Sequence, residues 1–68
     1  MALSARNILK GKVKDIKKGP VMAELTAEVA TGVDVVSVIT ANSVERLGLT
    51  VGKEVEIVIK ATSVMVNA

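Results

Sequence analysis

The chain has 68 residues, with nine basic and seven acidic side chains for a net charge of +2, and half of it is apolar. It contains no Cys, no His and no aromatic residue. That removes disulfides, thiolate and imidazole metal sites, the commonest general base, and the aromatic platforms on which single-strand binders stack bases. The length allows one domain, residues 1–68, with a core near the lower limit for a chain that stands alone. With disulfides excluded, association with further copies is the expected supplement, and the surplus of Val, Ile, Leu and Ala agrees with it.

The first residues, Met1 to Asn7, lack the basic and long apolar regions of a secretory signal, and charged residues interrupt every apolar run. The expected location is therefore the cytoplasm, with no membrane partner. Ser4-Ala5-Arg6-Asn7 is a polar cluster ahead of the first strand. A hydroxyl, a charged fork, an amide and turn N–H groups make good anion donors. The plain alternative is a simple turn leading into a strand.

From Ile8 to Lys17, Leu9, Gly11 and Val13 share one parity, and Lys10, Lys12 and Lys14 the other. After the turn signal Lys18-Gly19-Pro20, the segment Val21 to Val29 alternates again, with Val21, Ala23, Leu25, Ala27 and Val29 on one side. A three-residue loop sets Leu9 opposite Val29, Gly11 opposite Ala27 and Val13 opposite Leu25. On the other face it sets Lys14 against Glu24, Lys12 against Thr26 and Lys10 against Glu28. Apolar residues then meet apolar ones and most lysines meet acids, so the register satisfies both faces.

A break at Thr31-Gly32 precedes a third strand, Val33 to Thr40, with Val on both parities and both faces expected to be covered. Ala41 to Gly48 reads as a short helix, capped by Thr40 or Asn42, with Val44 and Leu47 on one face and Gly48 ending it. Val51-Gly52-Lys53 is a turn, Glu54 to Lys60 a fourth strand, and Thr62 to Asn67 a fifth. Five strands with one short helix between the third and fourth predict an all-β, OB-like Greek-key barrel.

Two further polar clusters accompany the first. Thr40-Ala41-Asn42-Ser43 sits where a strand hands over to a helix, and Lys60-Ala61-Thr62 where a strand ends. Ordinary N-capping explains the first of these alone, and the second is weak on its own. Together, all three clusters offer hydroxyls, amides and single cations without a carboxylate. Donors without an acceptor favour a fully deprotonated oxyanion such as sulfate, molybdate or tungstate over phosphate, which keeps a proton near neutral pH. The acids Glu24, Glu28, Glu54 and Glu56 have ordinary solvent-facing spacing, Asp15 and Asp34 lie near turns, and none stands out as a catalytic pair. The expectation is a binding protein, not an enzyme. The lysine stripe leaves an OB-type nucleic-acid-binding module as the competing reading, weakened by the acids set against it.

The opening Ser4-Ala5-Arg6-Asn7-Ile8-Leu9-Lys10-Gly11-Lys12-Val13 resembles the start of molbindins, the small molybdate-binding proteins, and of the Mop-type domains of molybdate-responsive regulators and transporter ATPases. Ile39 to Leu49 is similar to the same family's strand-to-helix segment, and Val58 to Met65 to its last strands, so the resemblance spans the chain. It implies an OB-like Mop domain assembled as a hexamer, a trimer of dimers, binding molybdate or tungstate between subunits and needing no organic cofactor. The implied set has Ser4, Arg6 and Lys60 from one subunit, with Ala5 and Ala61 through backbone N–H. Asn7 completes the motif and orients the turn, and Thr40 and Ser43 face the same anion from the neighbour. A second class of site near the symmetry axes stays unassigned. With no fused DNA-binding or ATPase segment, the expected role is intracellular molybdate storage.

Overall fold

The structure, a computed structural model, describes residues 6–68. Its elements are β1 (Asn7–Lys18), β2 (Met22–Ala30), β3 (Val33–Thr40), the helix α1 (Ala41–Leu47), β4 (Glu54–Ile59) and a 3-10 turn at Ala61–Ser63. The strands form one antiparallel sheet in the order β3-β2-β1-β4.

The long strand β1 organises the sheet. Its first half, Asn7 to Lys12, pairs with β4, and its second half, Lys12 to Lys18, pairs with β2. Both neighbours meet at Val13, whose N–H donates to the Lys53 carbonyl (2.9 Å) and whose carbonyl accepts from Gly52 N–H (2.8 Å), while its Cα faces Ala27. The sheet curls around this point. Val13, Leu25 and Ala27 form the buried core, and Ile16, Leu49, Val55 and Ile57 pack against it. Val55 and Ile57 of β4 thus share one core with Leu25 and Ala27 of β2 although β1 lies between the two strands in the sheet, the curl of an OB-like barrel.

The β1–β2 register differs from the expected one. Val13 faces Ala27 and Lys12 faces Glu28; a shift between Val13 and Asp15 then brings Asp15 to Thr26, Ile16 to Leu25 and Lys17 to Glu24. Leu9 faces Ile57 of β4 instead of Val29, and Gly11 faces Val55 instead of Ala27. Lys14 is the extra residue of a β-bulge, which resets the parity so that both Val13 and Ile16 turn inward. Strict alternation across Lys14 predicts one unbroken register, and the bulge breaks it. Asp15, expected near a turn, lies within β1.

Gly11 marks a close approach. A Cβ there would stand 2.7 Å from the Glu28 carbonyl oxygen and 3.1 Å from Val29 Cγ1. The obstacle is backbone at the irregular end of β2, between Glu28 and Ala30. Gly11→Ala is expected to destabilise by about 2 kcal/mol, the scale of overpacking a tight interior. For a domain of this size that lowers the thermal midpoint by roughly 10 °C. A midpoint equal to wild type in a melting experiment would show that β2 yields freely.

The strand β3 and the helix α1 occupy the predicted positions. Thr40 caps α1, its Oγ1 accepting from Ser43 N–H at 3.0 Å. Gly48 ends it in the left-handed region (φ 62°), where Gly carries no Cβ penalty. Lys53 Nζ donates to the Leu47 and Gly48 carbonyls (2.9 and 3.2 Å), placing a cation at the negative end of the helix. Val44 is buried as expected, but Leu47 is half exposed. Of the β3 valines, Val35 is half-buried whereas Val36 and Val38 stand about 60% exposed, so one face of β3 is uncovered in the single chain.

The predicted fifth strand, Thr62 to Asn67, does not form. Ala61–Ser63 makes a 3-10 turn, and residues 64–68 continue without regular structure. Val64, Met65 and Val66 are exposed, Met65 almost fully. A Val-rich segment has strand propensity, but a strand needs a partner edge, and this segment lies against none among the described residues. The sheet thus stays open between β3 and β4, leaving an apolar groove lined by Leu25, Ile39, Leu47, Leu49 and Ile57.

Candidate functional site

The predicted site residues fall into two groups at opposite ends of β1. At its start, Arg6 is exposed and directly precedes Asn7, the first residue of the strand. Asn7 faces Ile59, the last residue of β4, and its Nδ2 donates to the Ile59 carbonyl at 3.2 Å. Lys60 follows in an extended conformation (φ −64°, ψ 136°) and caps the 3-10 turn without a side-chain hydrogen bond. The turn is closed by Ser63 N–H to the Lys60 carbonyl (2.9 Å) and Val64 N–H to the Ala61 carbonyl (3.3 Å). Pairing of β1 with β4 therefore gathers Arg6, Asn7, Lys60 and Ala61, residues more than fifty positions apart in the chain. Neither Arg6 nor Lys60 joins an ion pair among the described residues. Ser4 and Ala5 lie outside the described residues.

The second group is Thr40 and Ser43. Thr40 Oγ1 accepts from Ser43 N–H and donates its own proton to Ser43 Oγ at 2.7 Å. The Thr40 hydroxyl is thus committed within the cap. Ser43, half-buried, keeps its hydroxyl proton for an outside acceptor. The Ala41 N–H is also engaged, donating to the Val21 carbonyl at 2.7 Å. The first turn of α1 carries no acidic residue.

These groups do not meet within one chain. Thr40 faces Met22, next to the β1–β2 turn, while Asn7 begins β1. Twelve residues of strand separate the two ends. The register thus sets one group beside the β4-paired end of β1 and the other beside its β2-paired end.

The lysine stripe is compensated on both sides. Lys10 faces Glu56, and Lys12 lies between Glu54 and Glu28. Lys14 bonds Asp34 at 3.0 Å, and Lys18 pairs with Glu45 of α1. The hydrogen bond to Asp34, and then its charge, raises the Lys14 pKa above its ordinary value. Strand pairing thus supplies acids opposite the lysines, as expected, though the partners differ from the predicted ones. Among the described residues no group of three carboxylates stands close enough to hold a cation.

Sequence reasoning missed the apolar surface beside each group. Ile8 and Val58, nearly half exposed, face each other beside Arg6 and Lys60. Met22, Val36 and Val38 lie exposed on the outer face beside Thr40. The alternation of Val36 and Val38 with Val35, Ser37 and Ile39 carried that signal.

Residues 3–66 match the TOBE domain family. The molybdenum-pterin-binding protein 3 of Clostridium pasteurianum is 52% identical over 68 residues, covering the whole of both chains. A molybdate-binding protein from Sporomusa ovata superposes with a TM-score of 0.94 at 40% identity, again over the whole of both chains. ModG, described as a cytoplasmic molybdate-binding protein and solved with molybdate bound, superposes at a TM-score of 0.85 and 46% identity, over 90% of this chain and 43% of that one. A TOBE match along nearly the full length, half-identity to a molybdenum-pterin-binding protein and the same OB-like fold together show that the chain belongs to the molbindin, or Mop-type, family of TOBE domains.

Proposed function

We propose that the protein binds molybdate or tungstate at sites shared between copies of itself, and that it serves as a cytoplasmic molybdate store. One observation carries the reading: two donor clusters without carboxylates stand beside opposite ends of β1, with no strand pairing or hydrogen bond between them among the described residues. A second copy placed head to tail against the first brings the Ser43 hydroxyl to the Arg6–Lys60 group. In this reading Ser4, Arg6 and Lys60 donate from one chain, assisted by the Ala5 and Ala61 N–H groups, and Ser43 completes the site from its neighbour with Thr40 beside it orienting its hydroxyl. The apolar residues beside each group supply contact surface, and six copies as a trimer of dimers are the expected assembly. Similarity to ModG, which holds molybdate, supports the ligand class. Among the described residues no helix is long and apolar enough to cross a membrane.

The donor set also selects among anions. Arg6, Lys60, hydroxyls and amides donate hydrogen bonds to a fully ionised tetrahedral oxyanion at every oxygen. A monoprotonated phosphate would bring a proton that no carboxylate of the site is there to receive, leaving hydroxyls already turned toward the anion as its only partners. The test is calorimetric titration with molybdate in a large excess of sulfate and phosphate. Heat is expected to persist, saturating near one anion per chain, because each chain supplies one of each half-site; phosphate is excluded by its proton, and sulfate, equally ionised, only by its smaller size. Loss of all heat in the competitors would remove the selective site.

A further inference from the structure

We propose that Asn7 is a positioning residue, whose side chain ties the start of β1 to the end of β4 and so holds Lys60 and the Ala61 N–H beside Arg6. The inference rests on the anion-binding reading above and specifies how one half of that site is held together.

Asn7 and Ile59 form the last pair between β1 and β4. Beyond it the two strands part: β1 leads back to Arg6, and β4 runs through Lys60 into the 3-10 turn. The last rung of an exposed ladder opens most readily. Here it carries an added bond, Asn7 Nδ2 to the Ile59 carbonyl at 3.2 Å, and that carbonyl belongs to the peptide group whose nitrogen is Lys60. The tie therefore acts one peptide away from the cation it places. Lys60 makes no side-chain bond to the turn that follows, so its ammonium stays unspent, and the geometry of its backbone is set from the β1 side. Asn suits the task. Its amide reaches across a strand pair as a donor and brings no charge that would repel an anion, whereas Asp at the same place would offer only acceptors and a negative charge.

A direct ligand and a positioning residue make opposite predictions in a double-mutant cycle. Molybdate affinity is measured by calorimetry for wild type, Asn7→Ala, Lys60→Ala and the double variant. Asn7→Ala is expected to lower affinity about five- to tenfold. If Asn7 acts through Lys60, the double variant falls well short of the product of the two single losses. A double loss equal to that product, within about twofold, would show that Asn7 acts on the anion by itself and overturn the proposal.

A second arm needs no ligand. Exchange of the Ser63 amide proton, which closes the turn after Lys60, is expected to quicken severalfold in Asn7→Ala, and to return toward wild type in Asn7→Gln, which retains a donor. Unchanged exchange in Asn7→Ala would remove the tie. Wild-type protein that takes up no molybdate but shows the exchange effect would overturn the anion-binding reading while leaving the tie intact, so the two failures are distinguishable.

Discussion

Saturating molybdate is expected to raise the thermal midpoint of the protein by roughly 10–20 °C. At a hundred times Kd, a ligand that binds only the native form adds about 2.7 kcal/mol, and a domain of this size gains about 4–8 °C per kcal/mol. The ligand here does more than occupy a folded chain. Each half-site alone offers an anion only part of its donors, so full affinity exists only where two copies meet, and binding and association reinforce each other. The apo chain has reason to associate already: Val36 and Val38 on β3, Met22 on β2, and Ile8 with Val58 across β1 and β4 are all exposed. Burying them removes apolar area from water at about 25 cal/mol per Å². The midpoint of apo protein is therefore expected to rise with protein concentration, and molybdate to flatten that dependence. Scanning fluorimetry across a hundredfold range of protein concentration, with and without molybdate, reads both effects. A midpoint that ignores molybdate sinks the shared-site reading, and one that responds to molybdate but never to protein concentration places the whole site in a single chain.

Local grammar made some elements legible and long-range geometry hid others. The span of β3 and the helix α1 follow from short stretches: a Val-rich run with Val on both parities, a Thr cap three residues before Ser43, and a Gly that accepts the left-handed turn. The β1–β2 register did not follow, because the bulge at Lys14 depends on β1 serving two neighbours at once. Gly11 contributes no side chain to alternation, yet it lies where β2 comes nearest. The fifth strand failed for a related reason: Thr62 to Asn67 has strand composition, but composition does not provide an edge to pair with. The site divides along the same line. Thr40 and Ser43 are legible as a cap, since the bonds that join them span three residues. The gathering of Arg6 with Lys60 depends on the pairing of Asn7 with Ile59 and was legible only through family resemblance.

The separation of the two half-sites leads to the most decisive expected result, recovery of binding by mixing two defective proteins. Arg6→Ala removes a charge-assisted donor worth about 1.5–3 kcal/mol, so molybdate affinity is expected to fall roughly ten- to hundredfold. Arg6 is exposed and precedes the first strand, so the ligand-free melting point should move by no more than about a degree or two. Ser43→Ala removes the hydroxyl offered from α1, but the Thr40 cap survives because it accepts from the backbone N–H at that position. Each variant should fold and associate while binding weakly. If the two are unfolded together in equal amounts and refolded, their chains assort at random. A site drawing Arg6 from one chain and Ser43 from its neighbour then finds both intact in about one quarter of cases. Calorimetry of the mixture should show about a quarter of the wild-type number of sites at wild-type affinity, with the rest weak. A site contained in one chain gives none, since every chain in the mixture carries one of the two defects. Absence of a tight fraction, after mixed assemblies have been confirmed by mass, would return both half-sites to a single protomer. The sheet register opposes that outcome, because the two groups lie beside opposite ends of β1.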